Sequence, residues 1–426
     1  MQYGCIGERL GHSFSKQIHA ELADYQYELC ELSRDELPRF FAEKRFSGIN
    51  VTIPYKETVI EYLWALDEQA KSIGAVNTIV NRDGRLYGYN TDFYGMSVLI
   101  ERIGVPLHGK KVAVLGGGGT SRTACAVASA LGARTVLRVG RQECEGSISY
   151  ERLLSEHRDI QYIINTTPCG MYPYPEGREG MRAAAVDVGD FRSLLGVADA
   201  VYNPLRSQLV LDAQKRGIPA MGGLVMLVAQ AVRAAELFLD RRLPEDSIDR
   251  ILSGMLGQKE NLVLIGMPAC GKSSVGAALS KKLGREWIDL DRLIEAKTGK
   301  SIPEIFSTLG ESGFRDIEER VITEQATLCQ GLIIATGGGA ILRARNLQNL
   351  RRNGRLYFLD RPLDALVPTD DRPLSSTREA IEARYRERYP LYLAAADRRI
   401  PVTGDVESVA EAIASDFLSS KRDEQI

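Results

Sequence analysis

Two hydrophobic patterns alternate along this chain. Largely apolar runs of strand length stand at 110–115, 136–139, 162–164, 261–265, 287–289 and 332–335. Runs of this kind predict strands covered on both faces of a parallel sheet. Between them apolar positions recur at intervals of three and four, most clearly over 224–239 and 274–283, which predicts helices. The alternation persists to the end of the chain, so the predicted class is α/β with largely parallel sheets. At 426 residues the chain is too long for one ordinary core. The pattern divides it into a first segment, 1–104, a second, 105–223, and a third, 259–426. The charged, weakly periodic stretch 241–258 reads as a linker with a short helix at 246–255.

Composition narrows the partners. A hydrophobic share of 44% with 26% charged residues is that of a soluble globular protein. Basic and acidic residues number 54 and 56, which gives neither nucleic acid nor an anionic membrane a surface to bind. The start, Met-Gln-Tyr-Gly-Cys-Ile-Gly-Glu-Arg, has no apolar core of leader length, and no run approaches the roughly 18 apolar residues of a span. The seven cysteines are scattered, odd in number and without C-x-x-C spacing, so a reduced cytoplasmic protein without a zinc site is expected. The expected partners are small-molecule substrates, and homo-oligomerisation stays open.

The most informative local feature is Gly266-Met267-Pro268-Ala269-Cys270-Gly271-Lys272-Ser273, set between a predicted strand and a predicted helix. It fits the phosphate-loop pattern G-x-x-x-x-G-K-[ST]. Loop amides and the helix N-terminus cradle phosphate oxygens, Lys272 adds a cation, and Ser273 can ligate magnesium. Downstream, Asp289-Leu-Asp291 places two carboxylates at i and i+2, on one side of the chain if the segment is extended. One could hold magnesium through water and the other orient an acceptor hydroxyl; alternatively Asp291 simply caps a helix. Gly313-Phe-Arg315-Asp-Ile-Glu318, Thr336-Gly337-Gly338-Gly339-Ala340, Asp371-Arg372-Pro373-Leu374 and Arg388-Tyr-Pro390-Leu391-Tyr392 follow. Singly these read equally well as solvated helix faces and turns.

In this order, with the loop and Asp-Leu-Asp, they resemble shikimate kinase across 259–426. The resemblance implies a P-loop kinase, a parallel sheet sandwiched by helices, using ATP and Mg2+. It assigns ATP to Gly266, Ala269, Cys270, Gly271, Lys272, Ser273, Ser274 and Arg372. It gives the metal to Ser273 and, through water, Asp289. Asp291 becomes the base at the acceptor hydroxyl, and Arg315, Gly337, Gly338, Gly339 and Arg388 hold shikimate. Lys272 and Arg372 carry the phosphoryl charge, a task of positioning and electrostatics. Two departures stand out. Ala269 occupies a position that is more usually glycine, and 362–371 holds no arginine to lie over the adenine. Discrimination of ATP from GTP is therefore expected to relax, by about tenfold on the strength of a cation–ring contact.

The first part of the chain has its own constellation. Gly116-Gly-Gly118-Gly-Thr-Ser121 follows a strand and precedes a helix, as a dinucleotide turn does, with Ser121 where the third glycine belongs. After the next strand stands Arg141, which suits a 2′-phosphate better than a free ribose. Upstream lie His12-Ser13-Phe14-Ser15, Gly48-Ile-Asn50-Val-Thr52-Ile-Pro54-Tyr-Lys56, Gly74-Ala-Val-Asn77-Thr78 and Gly88-Tyr-Asn90-Thr91-Asp92. With Asn165-Thr-Thr-Pro168-Cys-Gly170-Met171, Tyr202-Asn203-Pro204 and Gly222 through Gln230, they resemble shikimate dehydrogenase over 1–240.

That resemblance implies a two-lobed unit: a substrate lobe, 1–104, to which the helix 224–240 returns, and a Rossmann lobe, 105–223, for NADP(H). It makes Lys56 and Asp92 the catalytic pair. Ser13, Ser15, Thr52, Asn77, Tyr202 and Gln230 hold the substrate, and Gly116, Gly118, Gly119, Arg141, Gly170 and Met171 hold the cofactor. Lys16 and Ala20 replace the family's frequent Pro and Asn, and Gly140 and Gln142 replace the usual neighbours of Arg141. The two resemblances name consecutive reactions, so the expectation is a bifunctional enzyme of aromatic amino-acid biosynthesis. Its rivals are a quinate-type, NAD-linked first half, or one half reduced to a non-catalytic binding or regulatory module.

Overall fold

The computed structural model describes residues 1–10, 14–172, 183–366 and 377–419. It divides into two compact units, 1–255 and a second that begins at Leu256.

The first unit holds two sheets. One comprises β1 (Tyr3–Gly7), β2 (Tyr27–Glu31), β3 (Gly48–Val51), β4 (Ala65–Leu66), β5 (Thr78–Arg82) and β6 (Arg85–Tyr89), in the order β2-β1-β3-β5-β6-β4. It is mixed: β5 runs antiparallel to β3 and β6. The other comprises β7 (Lys111–Leu115), β8 (Thr135–Gly140), β9 (Ile148–Ser149), β10 (Tyr162–Asn165), β11 (Gly196–Asp199) and β12 (Ala220–Met221). It is wholly parallel, in the order β12-β11-β10-β7-β8-β9. The order reverses between β7 and β10, which puts a crevice at their carboxyl ends, where such sheets receive ligands.

The helix Leu224–Leu239 joins the two cores. Its Val225 and Met226 pack with Val112 and Val114 of the second sheet, while Ala234 and Phe238 pack with Tyr3 and Val80 of the first. It crosses the helix Thr91–Arg102 so closely that a Cβ on Gly95 would lie 2.5 Å from the Met226 carbonyl oxygen. Backbone cannot yield as a side chain does. Gly95→Ala is therefore expected to cost the first unit about 1–3 kcal/mol, measured as a lower unfolding midpoint for its transition.

The second unit is one parallel sheet of β13 (Asn261–Ile265), β14 (Trp287–Asp289), β15 (Ile333–Ala335), β16 (Gly354–Asp360) and β17 (Arg398–Pro401), ordered β14-β15-β13-β16-β17. Every residue of β13 and β16 is buried, including Arg355, whose guanidinium pairs with Glu260 at 3.1 Å. The helix Ile302–Leu328 breaks at Gly310 (φ 66°). In the stretch read as a linker with a short helix at 246–255, the helix runs Ser247–Lys259, with Ile251 and Met255 buried. Its last turn, Gly257-Gln258-Lys259, holds no apolar residue, so the sequence showed its start and not its end. Among the described residues no helix is long and apolar enough to cross a membrane.

Candidate active sites

In the first unit the polar cluster forms around the start of the helix Thr91–Arg102. Asn90 caps it, accepting from the Phe93 amide, so Asp92 falls in the first turn, where the helix dipole favours a carboxylate. Lys56 Nζ donates to Asp92 Oδ2 at 2.5 Å, with the side chains 18% and 10% exposed. Asn77 Nδ2 donates to Thr91 Oγ1 at 3.0 Å, and Asn77 Oδ1 accepts from the Thr91 amide at 2.7 Å. Thr91 Oγ1 reaches Gln230 Oε1 at 3.4 Å. Lys56, Asp92, Asn77 and Gln230 thus meet from separate stretches of chain.

Tyr202 faces the same region. Burial lifts its phenol above the usual range, with Cys5 adding to the shift. The Cys5 thiol is itself pushed up to about 12 by burial, against the pull of the Lys56 charge. The Tyr202 ring centre is 5.3 Å from that of Phe14, just before Ser15 opens the helix Ser15–Leu22. Thr52 follows β3 and packs its methyl over Gly7. Ser13 lies outside the described residues.

Two supporting groups escaped the sequence reading. Thr91 is the hub of the cluster. Asp199 accepts from Asn165 Nδ2 at 2.8 Å, the Val201 amide at 3.0 Å and Ser207 Oγ at 2.5 Å, fixing the loop that carries Tyr202. Burial raises its carboxyl to about 6, against these hydrogen bonds. An aspartate at a strand end otherwise reads as a turn residue, so nothing in the sequence marked it.

At the cofactor turn β7 leads into Gly116 (φ 129°), where a Cβ would strike Thr166. Gly118 caps the helix Gly119–Ala130 without a side chain, leaving its first-turn amides to an anion. A Cβ on Gly117 or Gly118 would meet nothing within 4 Å, so the turn opens on a cradle. Ser121 is fully buried, and its Oγ donates to the Gly118 carbonyl at 2.7 Å, which is how a serine fits where glycine was expected. Arg141 follows β8 and is exposed. Gly170 (φ 83°) and Met171 form the turn after β10.

In the second unit the phosphate loop wraps the Lys272 ammonium. Its Nζ donates to the carbonyls of Gly266 and Met267, each at 2.9 Å. Ala269 sits at φ 61°, left-handed for a residue with a Cβ, a strain of roughly 1–2 kcal/mol. Ser273 Oγ donates to Asp289 Oδ2 at 2.5 Å. The extended reading of Asp289-Leu-Asp291 is corrected here. β14 stops at Asp289, whose Oδ1 accepts from the Asp291 and Arg292 amides and so caps the helix Leu290–Thr298. The cap belongs to Asp289, because a side chain at that position reaches the N2 and N3 amides. Asp291 falls in the first turn.

Asp291 then meets the glycine turn. A Cβ on Gly337 would lie 2.7 Å from Asp291 Oδ1 and 2.9 Å from Glu318 Oε1, and one on Gly339 would overlap the Arg315 guanidinium. Arg315 Nη1 donates to Glu318 Oε2 at 2.8 Å and Nη2 to Glu311 Oε1 at 3.3 Å. Arg388 Nη1 donates to the Gly338 carbonyl at 3.2 Å, which also accepts from the Tyr392 hydroxyl at 2.5 Å. Glu318 and Tyr392 had no assigned role in the sequence. Burial raises the Glu318 carboxyl while Arg315 opposes the shift. Arg372 lies outside the described residues.

A shikimate dehydrogenase (NADP(+)) from Clostridium perfringens is 34% identical over 270 residues, 58% of this chain and 97% of the relative. The chain belongs to the shikimate dehydrogenase family. A family model for the shikimate dehydrogenase substrate binding domain matches residues 5–79, and one for shikimate kinase matches 268–419. The kinase domain is thus fused behind the dehydrogenase, and the whole is a bifunctional shikimate-pathway enzyme. Among solved structures, shikimate dehydrogenase 1 of Peptoclostridium difficile is 32% identical, with a TM-score of 0.53 over 59% of this chain and 96% of that one. Shikimate 5-dehydrogenase of Thermus thermophilus, in complex with NADP(H) and shikimate, is 25% identical, with a TM-score of 0.51 over 59% and 98%.

Proposed function

We propose that the first unit reduces 3-dehydroshikimate to shikimate with NADPH at the Lys56–Asp92 cluster, and that the second phosphorylates the 3-hydroxyl of shikimate at the turn 337–339. What supports this reading is that Lys56 pairs with Asp92 beside the Asn77–Thr91–Gln230 network in the first unit, while Asp291, Arg315 and Arg388 lie against the turn 337–339 in the second. The Clostridium perfringens relative supplies the cofactor by its name, and the Thermus thermophilus complex supplies both ligands.

In the dehydrogenase, bound NADPH supplies the hydride equivalent; the proton is the chain's task. Lys56 is a cationic donor to the carbonyl oxygen of the substrate. Asp92 orients the ammonium and accepts from a ring hydroxyl. Asn77 and Gln230 hold the remaining hydroxyls through a network already satisfied at Thr91. In the kinase, Ser273 and Asp289 offer a hydroxyl and a carboxylate, hard oxygen donors that fit magnesium. A magnesium ion held there would neutralise phosphate charge. Lys272 turns from the loop carbonyls to the phosphates, and Asp291 takes the proton of the acceptor hydroxyl. Arg315 and Arg388 take its carboxylate, a task suited to planar, permanently charged forks. Arg372 is assigned the migrating phosphoryl group.

The deciding experiment supplies 3-dehydroshikimate, NADPH and MgATP together and quantifies shikimate and its phosphate. Both products are expected; high activity with quinate and NAD but little with shikimate would replace the first assignment with the quinate reading. Chelating magnesium is expected to stop phosphate-ester formation and leave NADPH oxidation unchanged. Arg141→Ala is expected to raise the NADPH KM about tenfold or more, with little change for NADH, since a charge-assisted contact is worth roughly 1.5–3 kcal/mol. Equal responses to the two cofactors would show that Arg141 does not read the 2′-phosphate.

A further inference from the structure

The helix Arg378–Ala395 presents a second guanidinium beside Arg388. Arg384 stands one turn earlier, at i and i+4, so the two share a face. Its Nη1 is buried and has no hydrogen-bond partner among the described residues. Neither do Arg388 Nε and Arg315 Nε, both buried as well. The carboxylates of the cluster do not account for it. Glu318 meets Arg315 through Oε2 alone and its buried Oε1 reaches no donor among the described residues, Glu311 meets Arg315, and neither Glu311 nor Glu387, the acids whose charges reach Arg384, forms an ion pair with it. Burial lowers the proton affinity of the Arg384 guanidinium, and the Arg388 charge lowers it further.

Like charges at i and i+4 repel, and a buried guanidinium donor without an acceptor costs free energy. Three such groups around one turn, each with a donor to spare, form a binding site for an anion. A carboxylate fits, because its two oxygens offer about four acceptor positions and can take more than one fork. We propose that Arg384 is the third guanidinium of the acceptor-carboxylate pocket, and that it makes the kinase select an anionic acceptor over a neutral one. This rests on the reading of Arg315 and Arg388 as the carboxylate clamp.

The test uses the full chain, with ADP release as the readout and both shikimate and its methyl ester as acceptors. Arg384→Leu is expected to raise the shikimate KM by about tenfold to a hundredfold, the equivalent of one charge-assisted contact. The KM for the uncharged ester should stay within about twofold of wild type, and Arg384→Lys should fall between. An unchanged KM for ATP shows that the kinase unit is folded. Arg388→Ala is the control for the clamp itself. If Arg388→Ala raises the shikimate KM and Arg384→Leu does not, the third guanidinium is overturned and the clamp stands. If Arg384→Leu weakens acid and ester equally, its role is structural and the proposal fails. If neither substitution moves the shikimate KM, the clamp reading fails with it.

Discussion

Lys56→Ala should lower the turnover of 3-dehydroshikimate reduction by about a hundredfold to ten-thousandfold, the range for loss of a positioned proton donor. The size follows from where Lys56 sits. Its ammonium is held at 2.5 Å from Asp92 in a pocket that leaves 18% of the side chain exposed, so water has little room to substitute. Removing it also leaves the Asp92 carboxylate without its cation, which adds to the loss at the transition state. The same variant should phosphorylate added shikimate at a rate within a few fold of wild type, because no kinase group depends on Lys56. Loss of both activities in a folded protein would refute the assignment of each reaction to its own unit. Asp92→Asn tests the pair from the other side: it keeps the shape but removes the charge that orients the ammonium, so turnover should fall more than the substrate KM rises.

A second large loss is expected for Asp291→Asn, which should reduce phosphorylation of shikimate about a hundredfold or more while NADPH oxidation continues. Asp289 caps the helix Leu290–Thr298 and also accepts from Ser273, so it is committed to local structure. Asp291 is instead set against the Gly337 turn, among the residues that gather the acceptor. The substitution is isosteric and leaves the cap intact, so MgATP affinity should change little. A fall confined to the shikimate KM, with turnover preserved, would make Asp291 a binding group and remove it as the base. Lys272→Ala should likewise silence the kinase alone, through loss of the charge that meets the phosphates.

Much of this was legible in the sequence because local rules fix it. The runs at 112–115 and 262–265 are apolar at successive positions, and only strands covered on both faces bury them. Gly271-Lys272-Ser273 announces itself because the loop needs those residue types in that order. The helix at 224–239 showed its period and runs Leu224–Leu239 in the fold. Other features depended on partners far along the chain. That β5 runs antiparallel to β3 is decided by pairing, which no local period encodes. Asp289 and Asp291 look alike in sequence; which one caps follows from where β14 stops. The helix Ser247–Lys259 was read short at its C-terminal end because Gly257-Gln258-Lys259 offers no apolar position to extend the period. Thr91 stood inside a quoted segment without a role of its own, and Asp199 and Arg384 carried no signal. Each draws its meaning from what lies beside it in space: Asn77 and Gln230 for Thr91, Asn165 and Ser207 for Asp199, and a neighbouring guanidinium with no acid between for Arg384. The sequence by itself determined which chemistries the chain carries, because reactive loops demand particular residues at particular spacings. The tertiary structure alone decided which polar groups are satisfied and which are left with an unused donor, because that depends on distances closed only by folding.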